Sequence, residues 1–287
     1  MLQIPIVRSN IQKASFHPAL DWKLNRRVTE APTVQPEPYT LSGILKRLPP
    51  LPKRTGLLGA SAEGLPLLFN LTDPQPGSLL VMADRFAGKT ALLKTLVNSL
   101  VRQNRPEDVR FAVITAKPEE WAEEATRFAQ YFLQITSNID SAAVDLIYQL
   151  GDLVEGRQNG GHVGTAYMLL FDGMDVLPHM DVDLRANFEW LVRYGARQQI
   201  WTAATLDPAS MLEQRYYADL FRTRITGAVS DPNMAARLLP SRLQKRAAEG
   251  LNRRFTVRIQ QNWLQFYLPD PGLNIGGHHG YRNVMVR

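Results

Sequence analysis

The feature that most constrains the fold is a succession of three segments between residues 78 and 100. An apolar stretch is followed by a loop that ends in Gly-Lys-Thr, and the loop is followed by a helical stretch. The loop reads Ala83-Asp84-Arg85-Phe86-Ala87-Gly88-Lys89-Thr90. In a P-loop the backbone N–H groups cradle phosphate oxygens, the lysine reaches the outer phosphates and the threonine hydroxyl holds Mg²⁺. The helix that follows adds the positive end of its dipole. The sequence therefore predicts a phosphate-binding loop at residues 83–90, with a chance turn as the alternative.

Two positions of this loop depart from the usual pattern. Ala83 replaces the first glycine, a change that many P-loops tolerate. Phe86 stands where a glycine is common, and a bulky residue raises the backbone energy wherever φ has to be positive. The alternative interpretation is a decayed loop that binds nucleotide weakly or not at all.

A second acidic position follows a buried strand further along the chain. The apolar residues 167–171 precede Asp172, which we expect to hold Mg²⁺ together with Thr90. The alternative is an aspartate that caps a strand end. Gly173 stands where a water-orienting carboxylate usually follows, and Asp175 is the nearest replacement. Asp175 is also typical of a cap before Pro178.

The composition excludes several classes of site. The chain of 287 residues has no cysteine, which excludes disulfides, thiolate metal sites and cysteine nucleophiles. No stretch reaches the roughly 18 consecutive apolar residues of a membrane span, and the first ten residues lack the apolar core of a signal peptide. We therefore expect a cytoplasmic protein without direct membrane insertion.

The charges are distributed unevenly along the chain. Residues 1–54 carry nine Lys or Arg against three acids, and residues 233–287 carry nine against two. The net charge is +6, so the middle of the chain is acidic. Two basic ends suggest a polyanion or an acidic partner, whereas two solvated tails are the alternative.

Prolines and element periodicity divide the chain into three parts. Residues 1–54 read as a basic, proline-rich arm with a short helix near residues 41–47, anchored on a neighbour by Phe16 and Trp22. Residues 55–269 begin with a β-hairpin and continue as alternating strands and helices. That alternation predicts an α/β domain with a mostly parallel sheet, closed by an antiparallel pair. Residues 270–287 read as a flexible tail.

The order of several short segments resembles the FtsK/HerA-type motor ATPases, including the FtsK-like ATPase domains of type VII secretion (the EccC/EssC group). The resemblance spans about three quarters of the chain. It rests on five segments, at residues 77–90, 114–118, 169–175, 201–208 and 224–231. Within them, Thr115 replaces an aspartate of the family pattern and Leu206 replaces its polar glutamine.

The resemblance implies a RecA-like P-loop core with an additional strand, ATP and Mg²⁺ as cofactors, and a ring, commonly a hexamer, that threads DNA or polypeptide. It also implies that an arginine of a neighbouring subunit completes the site. Arg224 matches best, Arg222 and Arg197 are further candidates, and an ordinary salt bridge is the alternative for each.

The departures from the family fall on catalytic positions, while Lys89, Thr90 and Asp172 are kept. The sequence therefore predicts a protein that binds nucleotide better than it hydrolyses it. Three functions stay open: a motor-like ATPase on double-stranded DNA, a secretion or assembly ATPase whose client is a protein, and an ATP-binding structural subunit of a larger assembly that does not hydrolyse.

Overall fold

The computed structural model describes residues 40–249, 253–259 and 261–270. Most of the predicted arm, with Phe16 and Trp22, and nearly all of the predicted tail lie outside these ranges. No helix within them is long and apolar enough to cross a membrane.

Ten strands form one sheet in the order β2-β1-β10-β9-β8-β3-β7-β6-β4-β5. The strands are β1 (Thr55–Ala60), β2 (Pro66–Asn70), β3 (Leu79–Met82), β4 (Val109–Thr115), β5 (Phe132–Ser137), β6 (Ala166–Asp172), β7 (Ile200–Leu206), β8 (Thr223–Thr226), β9 (Arg254–Ile259) and β10 (Asn262–Tyr267). From β8 to β5 all neighbours are parallel, whereas β2, β1, β10 and β9 join by antiparallel pairing. The predicted α/β class with a mostly parallel sheet, an N-terminal hairpin and a closing antiparallel pair is confirmed.

Eight α-helices lie in the described residues. They are α1 (Leu41–Arg47), α2 (Lys89–Gln103), α3 (Ala122–Arg127), α4 (Ser141–Gln158), α5 (Val182–Tyr194), α6 (Arg215–Leu220), α7 (Pro232–Leu238) and α8 (Ser241–Ala248). Short 3₁₀ turns precede α3 at Pro118–Trp121 and α6 at Pro208–Met211.

Both faces of the central parallel strands β3, β6 and β7 are largely buried, as apolar strands of this kind require. The apolar residues of α2 recur at helical spacing and pack on one face of the sheet. The same cluster contains Phe255 of β9 and Phe266 of β10. Helices α4, α5 and α6 cover the other face, where Phe171, Phe188 and Phe221 form a chain of ring contacts. A third cluster joins α1 to β1 and β2 through Leu41, Ile44, Leu57, Ala60 and Leu68.

Several predicted elements differ from the structure. The sequence pattern predicts single helices at residues 118–128 and 208–220, whereas in the structure each is divided into a 3₁₀ turn and a short α-helix. The pattern also predicts a strand at residues 224–229, whereas β8 spans Thr223–Thr226 and the next residues still bond to the end of β3 and the loop after it, through the Gly227 N–H to Met82 and the Asp84 N–H to Ala228. Helices α7 and α8 were not predicted.

Candidate functional site

The residues expected to bind phosphate meet at the carboxyl ends of β3, β7 and β6. Strand β3 lies between β8 and β7, and β7 separates it from β6. The loop after β3 leads into α2, whose N-cap is Gly88, and no side chain caps that helix end. The first N–H groups of a helix have no partner within it, so those of α2 are available to an anion.

The P-loop backbone has a positive φ at Phe86, the position where a glycine is common. Gly88 has φ +92° and Phe86 has φ +65°, so the phenylalanine occupies the left-handed region at an energetic cost. The Phe86 side chain is 78% exposed, and the Arg85 guanidinium lies 5.0 Å from the centre of its ring. The loop is not filled by this ring, because the ring points into solvent.

The loop after β8 holds the P-loop in place from one side. The Asp84 N–H donates to the carbonyl of Ala228 at 2.8 Å, and the Ser230 N–H donates to Asp84 Oδ2 at 2.6 Å. Gly227 lies against Ala83, where a Cβ would stand 2.8 Å from the Ala83 Cβ. Ala83 and Asp84 are therefore structural members of the P-loop, held by the loop after β8.

Lys89 lies inside the loop. Its Nζ donates to the carbonyls of Ala83 at 2.5 Å and Asp84 at 3.1 Å. Burial lowers the pKa of the Lys89 ammonium below its ordinary value, and nearby carboxylates oppose that shift. These carboxylates are, in decreasing order, Asp207, Asp175, Asp172 and Asp84.

The two residues predicted to hold Mg²⁺ are in direct contact. Thr90 Oγ1 donates to Asp172 Oδ2 at 2.7 Å, and Thr205 Oγ1 donates to Asp172 Oδ1 at 2.9 Å. Burial raises the pKa of the Asp172 carboxyl above its ordinary value, although these two hydrogen bonds lower it. The indole N–H of Trp121 is buried, close enough to lower the same pKa slightly, and has no hydrogen-bond partner of good geometry in the described residues.

The donor set suits Mg²⁺ when a triphosphate supplies further oxygens. A hydroxyl and a carboxylate are hard ligands, and Mg²⁺ is usually bound by one or two carboxylates with substrate phosphates. The described residues contain no group of three or more His, Asp or Glu side chains suited to a metal. A site made of protein ligands alone is therefore not seen in that part of the chain.

The backbone after Asp172 explains why residue 173 is a glycine and not the water-orienting carboxylate that usually follows. Gly173 has φ +98°, a backbone conformation that favours glycine, and its N–H donates to Thr205 Oγ1 at 2.7 Å. Asp175 is near Lys89, but its Oδ1 accepts the N–H of Asp207 at 3.1 Å and its carbonyl accepts from Gln214. Asp175 thus braces the end of β7.

The predicted arginines lie away from this chain's own P-loop. Arg224 pairs with Asp219 at 3.0 Å and donates to the Phe221 carbonyl. Arg197 and Arg222 are exposed and line a cavity of about 180 Å³ with Arg193 and Tyr194. That cavity lies where β7 and β8 begin, at the opposite edge of the sheet.

Sequence reasoning did not single out Thr205, Asp207 or Trp121 as members of the site. Thr205 and Asp207 lie at the carboxyl end of β7, and Trp121 ends the 3₁₀ turn that follows β4, on the side of the sheet where ligands bind in open α/β folds. Asp207 and Thr205 flank Leu206, which is fully buried and offers no hydrogen bond. The signal available in the sequence was the polar residue on each side of Leu206, at the end of an apolar strand.

No protein-family model matches the sequence, and no curated protein matches it. Several solved structures, in contrast, are similar to this chain. ATPases 2 and 3 of Thermomonospora curvata EccC, in complex with a signal sequence peptide, superpose with a TM-score of 0.59 at 11% identity, over 76% of this chain and 40% of that one. The cytoplasmic domain of the same organism's type VII secretion ATPase EccC gives 0.60 at 18% identity, over 81% and 32%.

A third similar structure is the pCW3 conjugation coupling protein TcpA with ATPγS, with a TM-score of 0.57 at 15% identity, over 77% of this chain and 67% of that one. The chain spans about two fifths of the first EccC structure and about one third of the second. At such identities the likeness concerns the fold. The chain therefore has the fold expected from its sequence, that of the FtsK/HerA-type P-loop ATPases, which the ATPase domains of EccC also have.

Proposed function

We propose that the chain binds ATP with Mg²⁺ at residues 83–90 and hydrolyses it slowly. The observation that carries this proposal is the 2.7 Å hydrogen bond between Thr90 and Asp172, two residues that sequence motifs had selected separately. The neighbour TcpA was solved with ATPγS, which supports a nucleotide as the ligand.

In this proposal each residue has a defined part. The free N–H groups at the start of α2 bind phosphate oxygens, and Lys89 turns from the carbonyls of Ala83 and Asp84 to the outer phosphates. Thr90 and Asp172 hold the metal ion. When bound, Mg²⁺ neutralises the charge that develops on the phosphates.

Weak hydrolysis follows from three positions. Gly173 carries no carboxylate and has φ +98°, so the position next to Asp172 is built for glycine. Leu206 is buried and cannot hydrogen-bond a water or a phosphate. Phe86 strains the loop. Phosphoryl transfer depends on positioning, so these changes reduce turnover more than affinity.

We also propose that the chain works as a homo-oligomer, a ring such as a hexamer, or as a subunit of a larger assembly. Arg224 remains the proposed trans-acting arginine, and it would have to leave Asp219 to reach a neighbour. Arg222 and Arg197 are the alternatives, since both are exposed on the opposite edge of the sheet.

Double-stranded DNA is the first client that we propose, in a translocase-like role. A protein client is the second candidate, favoured by the acidic middle of the chain, which would repel the phosphates of DNA. The two neighbours that suggest these clients are a conjugation coupling protein and a secretion ATPase bound to a signal sequence peptide.

The test is steady-state ATP hydrolysis with and without duplex DNA, with ATP binding measured in parallel. Lys89→Ala should weaken ATP binding about 10- to 100-fold, because a charged hydrogen bond contributes about 1.5–3 kcal/mol. We expect the wild type to bind ATP with Mg²⁺ and to turn over well below about 1 s⁻¹. Fast, DNA-stimulated hydrolysis that Lys89→Ala abolishes would contradict slow turnover, and absence of ATP binding would contradict the whole proposal.

A further inference from the structure

We propose that the Asp207 carboxylate orients the water that attacks the terminal phosphate, in place of the acid missing after Asp172. This inference rests on the proposed ATP binding and concerns the residual hydrolysis. It assigns a catalytic role to a residue outside the P-loop and outside the segment 172–175.

The sheet register places Asp207 beside the start of the P-loop. Leu206 is the parallel partner of Met82, so Asp207 and Ala83 leave the sheet side by side. Asp207 lines a cavity of about 450 Å³ together with Asp84 and Arg85 of the P-loop. The cavity therefore borders the first residues of the P-loop.

Asp207 is also electrostatically close to Lys89, the residue that reaches the outer phosphates in a P-loop. Among the carboxylates near it, Asp207 raises the pKa of Lys89 most. Asp172, in contrast, accepts hydrogen bonds on both oxygens, from Thr90 and Thr205.

Asp207 is fixed at two points and still has a free oxygen. Its N–H donates to Asp175 Oδ1 at 3.1 Å, and its Oδ1 accepts the N–H of Ala209 at 3.0 Å. Its Oδ2 accepts no hydrogen bond from the described residues. A carboxylate held in this way can accept a proton from water without first losing another partner.

The reaction balances without a further reactant. The water oxygen forms a bond to the γ-phosphorus, and the bond from that phosphorus to the bridging oxygen breaks with its electron pair going to ADP. The water proton passes to Asp207 Oδ2 and then to solvent. Inorganic phosphate and ADP are the products.

Two variants of Asp207 test the role without removing its local hydrogen bond. Asn and Ser both accept from the N–H two residues on, so Asp207→Asn and Asp207→Ser keep the cap of the turn. The matched control is Asp231→Asn, because Asp231 lines the same cavity and makes the same type of cap through Oδ1 to the Asn233 N–H. Asp231 is not among the carboxylates that act on Lys89.

We expect both Asp207 variants to lower turnover by about 100-fold, the lower range for a positioned general base. ATP affinity and thermal midpoint should stay near those of the wild type, and Asp231→Asn should behave as wild type. Turnover within twofold of wild type in either folded Asp207 variant would overturn the inference. Wild-type turnover no higher than that of Lys89→Ala would also overturn it, and ATP binding measured in the same protein would leave the proposed nucleotide binding standing.

Discussion

Thr90 and Asp172 are 82 residues apart in the chain, yet the Thr90 hydroxyl donates to Asp172 Oδ2 at 2.7 Å. Strand β7 lies between their two strands, and its last polar residue, Thr205, occupies the other carboxylate oxygen at 2.9 Å. Three parallel strands therefore build the site together. Strand β7 is a structural part of it, because Thr205 also accepts the Gly173 N–H.

Thr205→Val should destabilise the protein by about 1–3 kcal/mol, because it leaves the Gly173 N–H and one oxygen of Asp172 without a buried partner. Denaturant unfolding measures the change. Thr202→Val is the matched control on the same strand, since the buried Thr202 hydroxyl has no hydrogen-bond partner in the described residues and its loss should be neutral or stabilising. Equal losses in both variants would argue against the network.

Asp172→Asn should make the folded protein more stable at neutral pH. Burial raises the pKa of Asp172 in the folded state, so the stability contributed by this group is complete below about pH 4 and is lost as the pH rises through the raised pKa. The neutral amide avoids that loss. Thermal midpoints measured from pH 4 to 8 should diverge with rising pH, and a constant difference would contradict this account.

Gly227→Ala should destabilise the protein by about 1–3 kcal/mol by overpacking, because its Cβ would stand 2.8 Å from both Ala83 and a ring carbon of Phe255. ATP affinity should fall as the P-loop shifts. The control is Gly156→Ala in α4, where a Cβ meets nothing within 4 Å. That control should stabilise the helix by about 0.5–1 kcal/mol.

Gly173→Glu should fail to restore fast hydrolysis, although it supplies the carboxylate that the family pattern has. At φ +98° a side chain costs about 1–3 kcal/mol of stability. Gly160→Glu tests the backbone origin of that cost, because Gly160 has φ +94° and open space around it in the loop before β6. A large rise in turnover without loss of stability would show that only the side chain was missing.

Trp121 should report Mg²⁺ and ATP binding by its fluorescence. Its indole N–H is buried beside Asp172, and Lys94 of α2 lies 5.5 Å from its ring centre. A change in fluorescence on adding MgATP should disappear in Trp121→Phe and persist in Trp190→Phe, whose ring is 37% exposed on α5. Persistence in both variants would place the responding tryptophan elsewhere.

Local sequence patterns anticipated most of the sheet and much of the site. Continuous apolar runs identified the buried parallel strands, and Gly88, Lys89 and Thr90 identified the start of α2. The helices after β4 and β7 were predicted as single elements because the pattern does not show where a 3₁₀ turn gives way to an α-helix. For Asp175 the sequence left two interpretations open, a water-orienting carboxylate or a cap before Pro178, and in the structure its Oδ1 accepts the N–H of Asp207.

The sequence by itself determined the α/β class and the pairing of a P-loop with a distant strand-end aspartate, because both depend on periodicity and on local motifs. Only the tertiary structure decided that β7 separates β3 from β6, and thereby that Thr205 and Asp207 join the site. It also showed that the backbone at residue 173, with φ +98°, favours glycine. Strand order and φ arise from packing between distant segments, which no local pattern contains.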